Sequence, residues 1–425
     1  MTGITRRTFL RMATTASALS LVGCAAAPTK TAKANARVVV VGGGYGGATT
    51  AKYLKLFDPS LDVTLIEKRK TYLSCPGSNE VLAGWRDMDS LRRPLEGLRI
   101  HHGIHLVRAK AVEIDPQKRI VELKDGTEIP YDRLVLSPGV DMRYDAIEGY
   151  DLKASKTVPH AWRAGKQTTL LLNQLTAMGN GGVVLITAPA SPYRCPPGPY
   201  ERASLIAHYL QRHKPRSKVI ILDAKSQFSK QALFLKGWQD LYPGMVEWVS
   251  AEKEGQIDHI DAKKRIVATE FNNHRADVLN IIPPQKAGWL ARKTELADHS
   301  GWCPVEPHSF ESTLIPNIHI VGDSCIASPM PKSAFSANSQ AKICAAAIID
   351  LLNGRQPGPP SLINHCYSFL APDYAISVNG VYEYSVTERQ LVATAGGDSP
   401  MGADRAREAE LANSWRDNMT TDTFE

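Results

Sequence analysis

Several features that mark whole classes of protein are scarce or missing in this 425-residue sequence. Its charge is nearly balanced, 50 Lys+Arg against 43 Asp+Glu, and much of the excess of +7 comes from Arg6, Arg7, Arg11, Lys30 and Lys33. No basic domain or stripe is left to act as an electrostatic footprint, so nucleic-acid binding is not expected. Beyond residues 12–27, no stretch approaches the roughly 18 apolar residues that suggest a membrane span. Cys-x-x-Cys-His does not occur, which excludes a c-type haem carried by this chain. No metal site is expected. With 43% hydrophobic residues and with 31 Gly and 27 Pro suited to turns, disorder and low complexity are excluded as well. The length fits two or three ordered domains.

The opening segment carries a signal. Thr5-Arg6-Arg7-Thr8-Phe9-Leu10 precedes a charge-free run rich in Ala, Ser and Thr, the pattern of a twin-arginine leader over residues 1–34. That predicts export of an already folded protein to the periplasm and no transmembrane helix in the mature form. Leu21-Val22-Gly23-Cys24 reads as a lipobox that would lipid-anchor Cys24, whereas Ala32-Lys33-Ala34 offers an ordinary signal-peptidase site; both cuts fit the residues. Six cysteines then remain: Cys75, Cys195, Cys303, Cys325, Cys344 and Cys366. An oxidising compartment permits disulfides among them.

After the leader, Arg37-Val38-Val39-Val40-Val41 is a β-branched run of the kind that forms a buried parallel strand. It leads straight into Gly42-x-Gly44-x-x-Gly47 and a helical stretch. A second strand, Asp62-Val63-Thr64-Leu65-Ile66, ends at Glu67, about 20 residues past the last of these glycines. The glycines supply a tight turn, a close backbone approach to a pyrophosphate and close helix–strand packing, and the acid can hydrogen-bond a ribose. Strand, glycines, helix, strand and acid in register specify dinucleotide binding.

Two later segments point to FAD. One is a strand running into Ser137-Pro138-Gly139; the other is Ile318-His319-Ile320-Val321-Gly322-Asp323, followed by a small-residue helix from Ser333. This layout resembles that of FAD-containing flavoproteins with two dinucleotide folds, which implies that Gly139, Gly322 and Asp323 contact FAD. Between these segments lie strands at 182–187 and 218–223, where such proteins carry a second unit for NAD(P)H. Its glycine fingerprint is replaced by Ala188-Pro189-Ala190-Ser191-Pro192-Tyr193-Arg194-Cys195-Pro196-Pro197-Gly198-Pro199-Tyr200-Glu201. Prolines offer no N–H to a pyrophosphate, so the second unit is expected to keep its fold without its nucleotide.

The proline-rich cysteine loop, Tyr72-Leu73-Ser74-Cys75 with Ser78-Asn79-Glu80-Val81, Pro329-Met330-Pro331-Lys332-Ser333, Cys366-Tyr367-Ser368 and Asp422-Thr423-Phe424 resemble the flavoprotein subunit of flavocytochrome c sulfide dehydrogenases. The resemblance implies a thioether between Cys75 and the FAD, a redox-active disulfide of Cys195 with Cys366, sulfide as substrate and a c-type cytochrome subunit as partner. Glu201 is a candidate acid/base, although a salt bridge to Arg202 or Arg194 is an equally good reading of it. Lys332 is a candidate cation beside the flavin, against a plain surface lysine. Cys303, Cys325 and Cys344 read as structural.

The resulting expectation is an α/β chain with two Rossmann-like dinucleotide-binding domains of the FAD/NAD-linked (disulfide) reductase type. Residues 35–150 with 286–352 form a discontinuous FAD-binding domain, 151–285 the second unit, and 353–425 a C-terminal cytochrome-interface domain. The polar tail 408–425 offers no obvious seat for quinone chemistry, which favours a protein acceptor. The alternatives are a sulfide:quinone oxidoreductase, and a non-catalytic flavin-loaded relay in which Cys195 and Cys366 form only a staple.

Overall fold

The computed structural model describes residues 36–425; the twin-arginine segment, Cys24 and both cleavage sites lie outside the described residues. Strand Arg37–Val41 buries all four of its valines and pairs in parallel with Asp62–Ile66 on one side and Arg133–Leu136 on the other. His105–Val107 and Ile318–Ile320 complete a five-stranded parallel sheet. The last of these strands comes from far along the chain, so the first domain is discontinuous in sequence. Helix Tyr45–Phe57 packs against helix Ala334–Leu352, and both lie on this unit. The second helix starts where Ser333 caps it, its hydroxyl accepting the Ser336 N–H at 2.9 Å.

The glycine turn is sterically dictated. Gly42 has φ +106°, and a Cβ there would lie 2.4 Å from the Ser137 carbonyl oxygen; at Gly47 it would lie 1.9 Å from the Gly42 oxygen. Only glycine permits this turn and the close approach of helix to strand.

A second parallel sheet runs in the order Val246–Val249, Lys218–Asp223, Val183–Ala188, Val278–Ile281. It has the expected Rossmann-like form, with helix Gly198–His213 following the proline loop. A three-stranded antiparallel sheet, Ser361–Ala371, Tyr374–Ser385 and Gln390–Asp398, and helix Arg405–Phe424 close the chain. The tail returns to the first domain: Phe424 packs edge-on to Tyr45 at 5.2 Å and stacks on Tyr72 at 5.7 Å. Asp422 accepts from Tyr53 and pairs with Lys342. No described helix is long and apolar enough to cross a membrane.

Candidate active site

All three parts of the chain meet at one cavity of about 440 Å³. Its first wall is the glycine turn with Gly42 and Gly44, the Glu67 side chain, Gly139, Gly322 and Asp323. The Glu67 carboxylate is oriented by the Gly43 N–H at 2.9 Å and the Arg69 N–H at 3.0 Å, one on each oxygen, which leaves lone pairs to accept from a ribose hydroxyl. Gly139 has φ +66° with open space where a Cβ would project, and Gly322, at φ +83°, donates its N–H to Gln340. Gly47 is not on the cavity wall; it serves the turn.

Cys75, Cys195 and Cys366 all line this cavity, each partly exposed and each a free thiol in this structure. Cys75 precedes the short helix Ser78–Leu82, its carbonyl accepting the Ser78 N–H at 2.9 Å. Cys195 holds a left-handed backbone, φ +57°, just before the helix that starts at Gly198. Its N–H donates to the Lys332 carbonyl at 2.7 Å, which ties the proline loop to the segment after Asp323. Cys366 lies mid-strand opposite Val378. Burial pushes both the Cys195 and Cys366 thiols up, and Lys230 opposes this at both.

Glu201 lines the same cavity as the two cysteines. Asn79 donates to its Oε2 at 2.7 Å and the Phe369 N–H to its Oε1 at 3.0 Å. Burial raises its pKa against these two hydrogen bonds, which favours a protonated carboxyl inside the site. The salt-bridge reading does not hold. Arg202 is spent on Asn79, Asn280 and the carbonyls of His160 and Ala161, and Arg194 faces Asp323 at 3.7 Å.

Lys332 differs from expectation. Its Nζ donates to the carbonyls of Asp323 and Cys325 at 2.8 and 2.7 Å and sits over the Trp302 ring at 3.9 Å. The side chain therefore faces away from the cavity wall, because two carbonyls and an aromatic face satisfy the ammonium there. Its part in the site is to fix the loop that presents Asp323. Cys303, Cys325 and Cys344 are buried, as a structural reading requires.

The chain's own residues fit FAD. Trp162 Nε1, His365 Nε2 and Trp415 Nε1 are buried polar atoms without a hydrogen-bond partner among the described residues, and all three residues line the cavity. Such orphaned groups are expected where a polar ligand supplies the missing partners. Asp223, at the strand end where a nucleotide-binding unit would offer a ribose ligand, is fully buried and held by Tyr200 Oη, Trp248 Nε1 and Lys225 Nζ. Tyr200 also stacks on Phe228 at 3.7 Å.

Sequence reasoning did not single out Lys230, Trp162 or the buried role of Arg202. Asp223 was visible at a strand end, but its partners were not.

A family model described as the central part of the sulfide dehydrogenase [flavocytochrome c] flavoprotein chain matches residues 168–283, and one described as flavocytochrome c sulphide dehydrogenase, flavin-binding, matches 358–424. A pyridine nucleotide-disulphide oxidoreductase model matches 36–188. The chain is 62% identical over 45 residues to the flavoprotein chain of sulfide dehydrogenase [flavocytochrome c] from Chlorobaculum thiosulfatiphilum, covering 94% of that sequence and 11% of this one. It is 24% identical to the mitochondrial sulfide:quinone oxidoreductase of Mus musculus, over 77% of this chain and 74% of that one. Among solved structures, the sulfide:quinone oxidoreductase of Aquifex aeolicus superposes with a TM-score of 0.70 at 19% identity, over 92% of both chains. That likeness supports the fold.

Proposed function

The chain belongs to the flavoprotein-chain family of flavocytochrome c sulfide dehydrogenase, a family of sulfide-oxidising FAD proteins, and we propose that it oxidises sulfide through Cys195 and Cys366 and passes the electrons to a c-type cytochrome. The observation that carries this reading is the convergence of Cys195, Cys366 and Glu201 on the cavity whose other wall is the dinucleotide-binding turn. Gly42, Gly44, Gly139, Gly322 and Asp323 would hold the FAD, with Cys75 placed on the same wall for a covalent link. When bound, the flavin supplies a two-electron acceptor able to return electrons singly.

In the oxidised protein, Cys195 and Cys366 form a disulfide. A hydrosulfide anion attacks one sulfur of that bond; a new S–S bond forms, the old one breaks, and its electron pair stays on the departing thiolate. The products are a cysteine persulfide and a thiolate on the cavity wall. Burial raises the Glu201 pKa, so in its protonated form it can return a proton to a thiolate and in its ionised form take one from hydrogen sulfide. Prolines without an N–H at the second sheet and the capture of Asp223 by Tyr200 support reduction from the sulfur side rather than by a nicotinamide.

The acceptor is a cytochrome subunit docked through 353–425, and the protein works in the periplasm after twin-arginine export. A quinone acceptor is the second reading, favoured by similarity to a quinone-reducing relative over three quarters of the chain. An anaerobic titration decides these points. Sulfide, and not NADH, is expected to bleach the flavin, and added cytochrome c to recolour it faster than a short-chain quinone. Bleaching by NADH alone, or by neither donor, sinks the sulfide reading.

A further inference from the structure

Lys230 is 2% exposed, on the inner side of the strand that carries Cys366. Its Nζ donates to Ser368 Oγ at 2.8 Å and to the Cys366 carbonyl at 3.3 Å. Among the described residues no carboxylate forms an ion pair with it. A buried ammonium without a counter-ion is costly, and this one also sits on a strained backbone. Lys230 has φ +61° and ψ +28° just before helix Gln231–Leu241, a left-handed conformation that glycine adopts freely and a long side chain does not. A residue needed only to start this helix would be glycine or asparagine.

What the ammonium faces explains its presence. Burial pushes its own pKa down, while Cys366, Glu201, Cys195 and Asp398 push it back up. These groups come from strand Ser361–Ala371, helix Gly198–His213, the proline loop and strand Gln390–Asp398. His365 is the other titratable neighbour, and Lys230 disfavours its protonated form. At Cys366, burial raises the thiol pKa, Lys230 is the largest opposing influence and Glu201 adds to the rise.

We propose that Lys230 is a positioning residue of the sulfur chemistry, its ammonium holding the thiolate left on Cys366 when the Cys195–Cys366 bond opens. The inference rests on the redox reading of these two cysteines given above. In the step concerned, HS⁻ forms a bond to Cys195 Sγ and the Cys195–Cys366 bond breaks. The bonding pair remains on Cys366 Sγ, and the proton stays on the terminal sulfur of the new persulfide. The disulfide is the oxidant. A negative charge thus appears where water screens poorly, and a fixed cation already in place lowers the cost of forming it.

The test uses reduced, flavin-loaded protein and methyl methanethiosulfonate, a small neutral thiol reagent, between about pH 6 and pH 11. The labelled peptides of Cys366 and Cys195 are counted separately by mass spectrometry. In the unsubstituted protein, Cys366 is expected to label with the lower pH midpoint. Lys230→Met and Lys230→Gly, the latter suited to the left-handed backbone, should each raise the Cys366 midpoint by about one unit, tenfold less thiolate at a fixed pH. Lys230→Arg should restore it. An unchanged Cys366 midpoint in either neutral variant that retains flavin overturns the proposal. So does a Cys366 midpoint at or above that of Cys195 in the unsubstituted protein, a comparison that stands even if neither variant folds. Full sulfide turnover by Cys195→Ser would instead remove the redox reading, and the labelling result, which needs no turnover, remains readable apart from it.

Discussion

Glu201 accepts the backbone N–H of Phe369 at 3.0 Å, and this bond joins the helix that follows Cys195 to the strand that carries Cys366. The two cysteines are far apart in sequence, so their approach depends on contacts of this kind between the second domain and the C-terminal sheet. A carboxyl placed there serves two ends: it locks the strand, and it lines the cavity of the sulfur chemistry with its pKa raised by burial.

Glu201→Gln separates these ends, because the amide keeps an acceptor for Phe369 and loses the exchangeable proton. Sulfide-driven flavin reduction should fall by about 10²-fold with flavin content unchanged. The sign of the pH effect follows from the raised pKa. Glu201 contributes stability that is fully present below its unfolded value of about 4.3 and is lost as pH rises through the higher folded value. The unsubstituted protein should therefore lose thermal stability relative to Glu201→Gln across that window. Parallel stability profiles together with an unchanged rate would remove Glu201 from the chemistry.

Cys75 lines the cavity beside Tyr72 and before a turn fixed by Gly77 at φ +89°. If it carries the flavin through a thioether, acid precipitation should leave the yellow colour in the pellet of the unsubstituted protein and release it from Cys75→Ser. Release from both proteins would show that the flavin is held without a covalent bond.

Tyr200 is one of four donor groups on the buried Asp223, with Trp248 Nε1 and the backbone N–H and Nζ of Lys225. In Tyr200→Phe that carboxylate loses a donor while the ring still stacks on Phe228, so the expected cost is about 1–3 kcal/mol of stability. NADH should still fail to reduce the flavin, because the proline loop remains. Reduction by NADH in this variant would mean that the tyrosine alone had closed a working nucleotide site.

The dinucleotide turn was legible because its signal is local: Gly42, Gly44, Gly47 and Glu67 fall within one strand–helix–strand unit, and the structure gives steric reasons for the glycines. The second unit's strands were legible as β-branched runs, and the structure pairs them in one parallel sheet. Cys195 and Cys366 came from resemblance to a family, since nothing in spacing relates residues so distant. Lys230 was not legible at all. Its partners, Ser368 and Cys366, belong to another domain, and an isolated lysine in a sequence reads as solvated surface. Lys332 shows the converse failure: its place before a helix was read correctly from the sequence, but which way its side chain turns depends on Trp302 and two carbonyls that only folding assembles.

That difference at Lys332 can be measured. An ammonium facing the flavin would stabilise a negative charge on it, and removing the ammonium would lower the flavin midpoint potential. An ammonium holding the carbonyls of Asp323 and Cys325 would do something else. Lys332→Met would leave two buried carbonyls without their donor, at about 1–3 kcal/mol, and forfeit a cation–π contact with Trp302. The structure supports the second arrangement, so Lys332→Met should melt several degrees lower and incorporate less FAD. The flavin it retains should keep its potential and be reduced by sulfide at nearly the usual rate. Since the Lys332 carbonyl also accepts the Cys195 N–H, a backbone contact that methionine preserves, the cysteine loop should stay in place. A lowered flavin potential with unchanged melting would return Lys332 to the cavity.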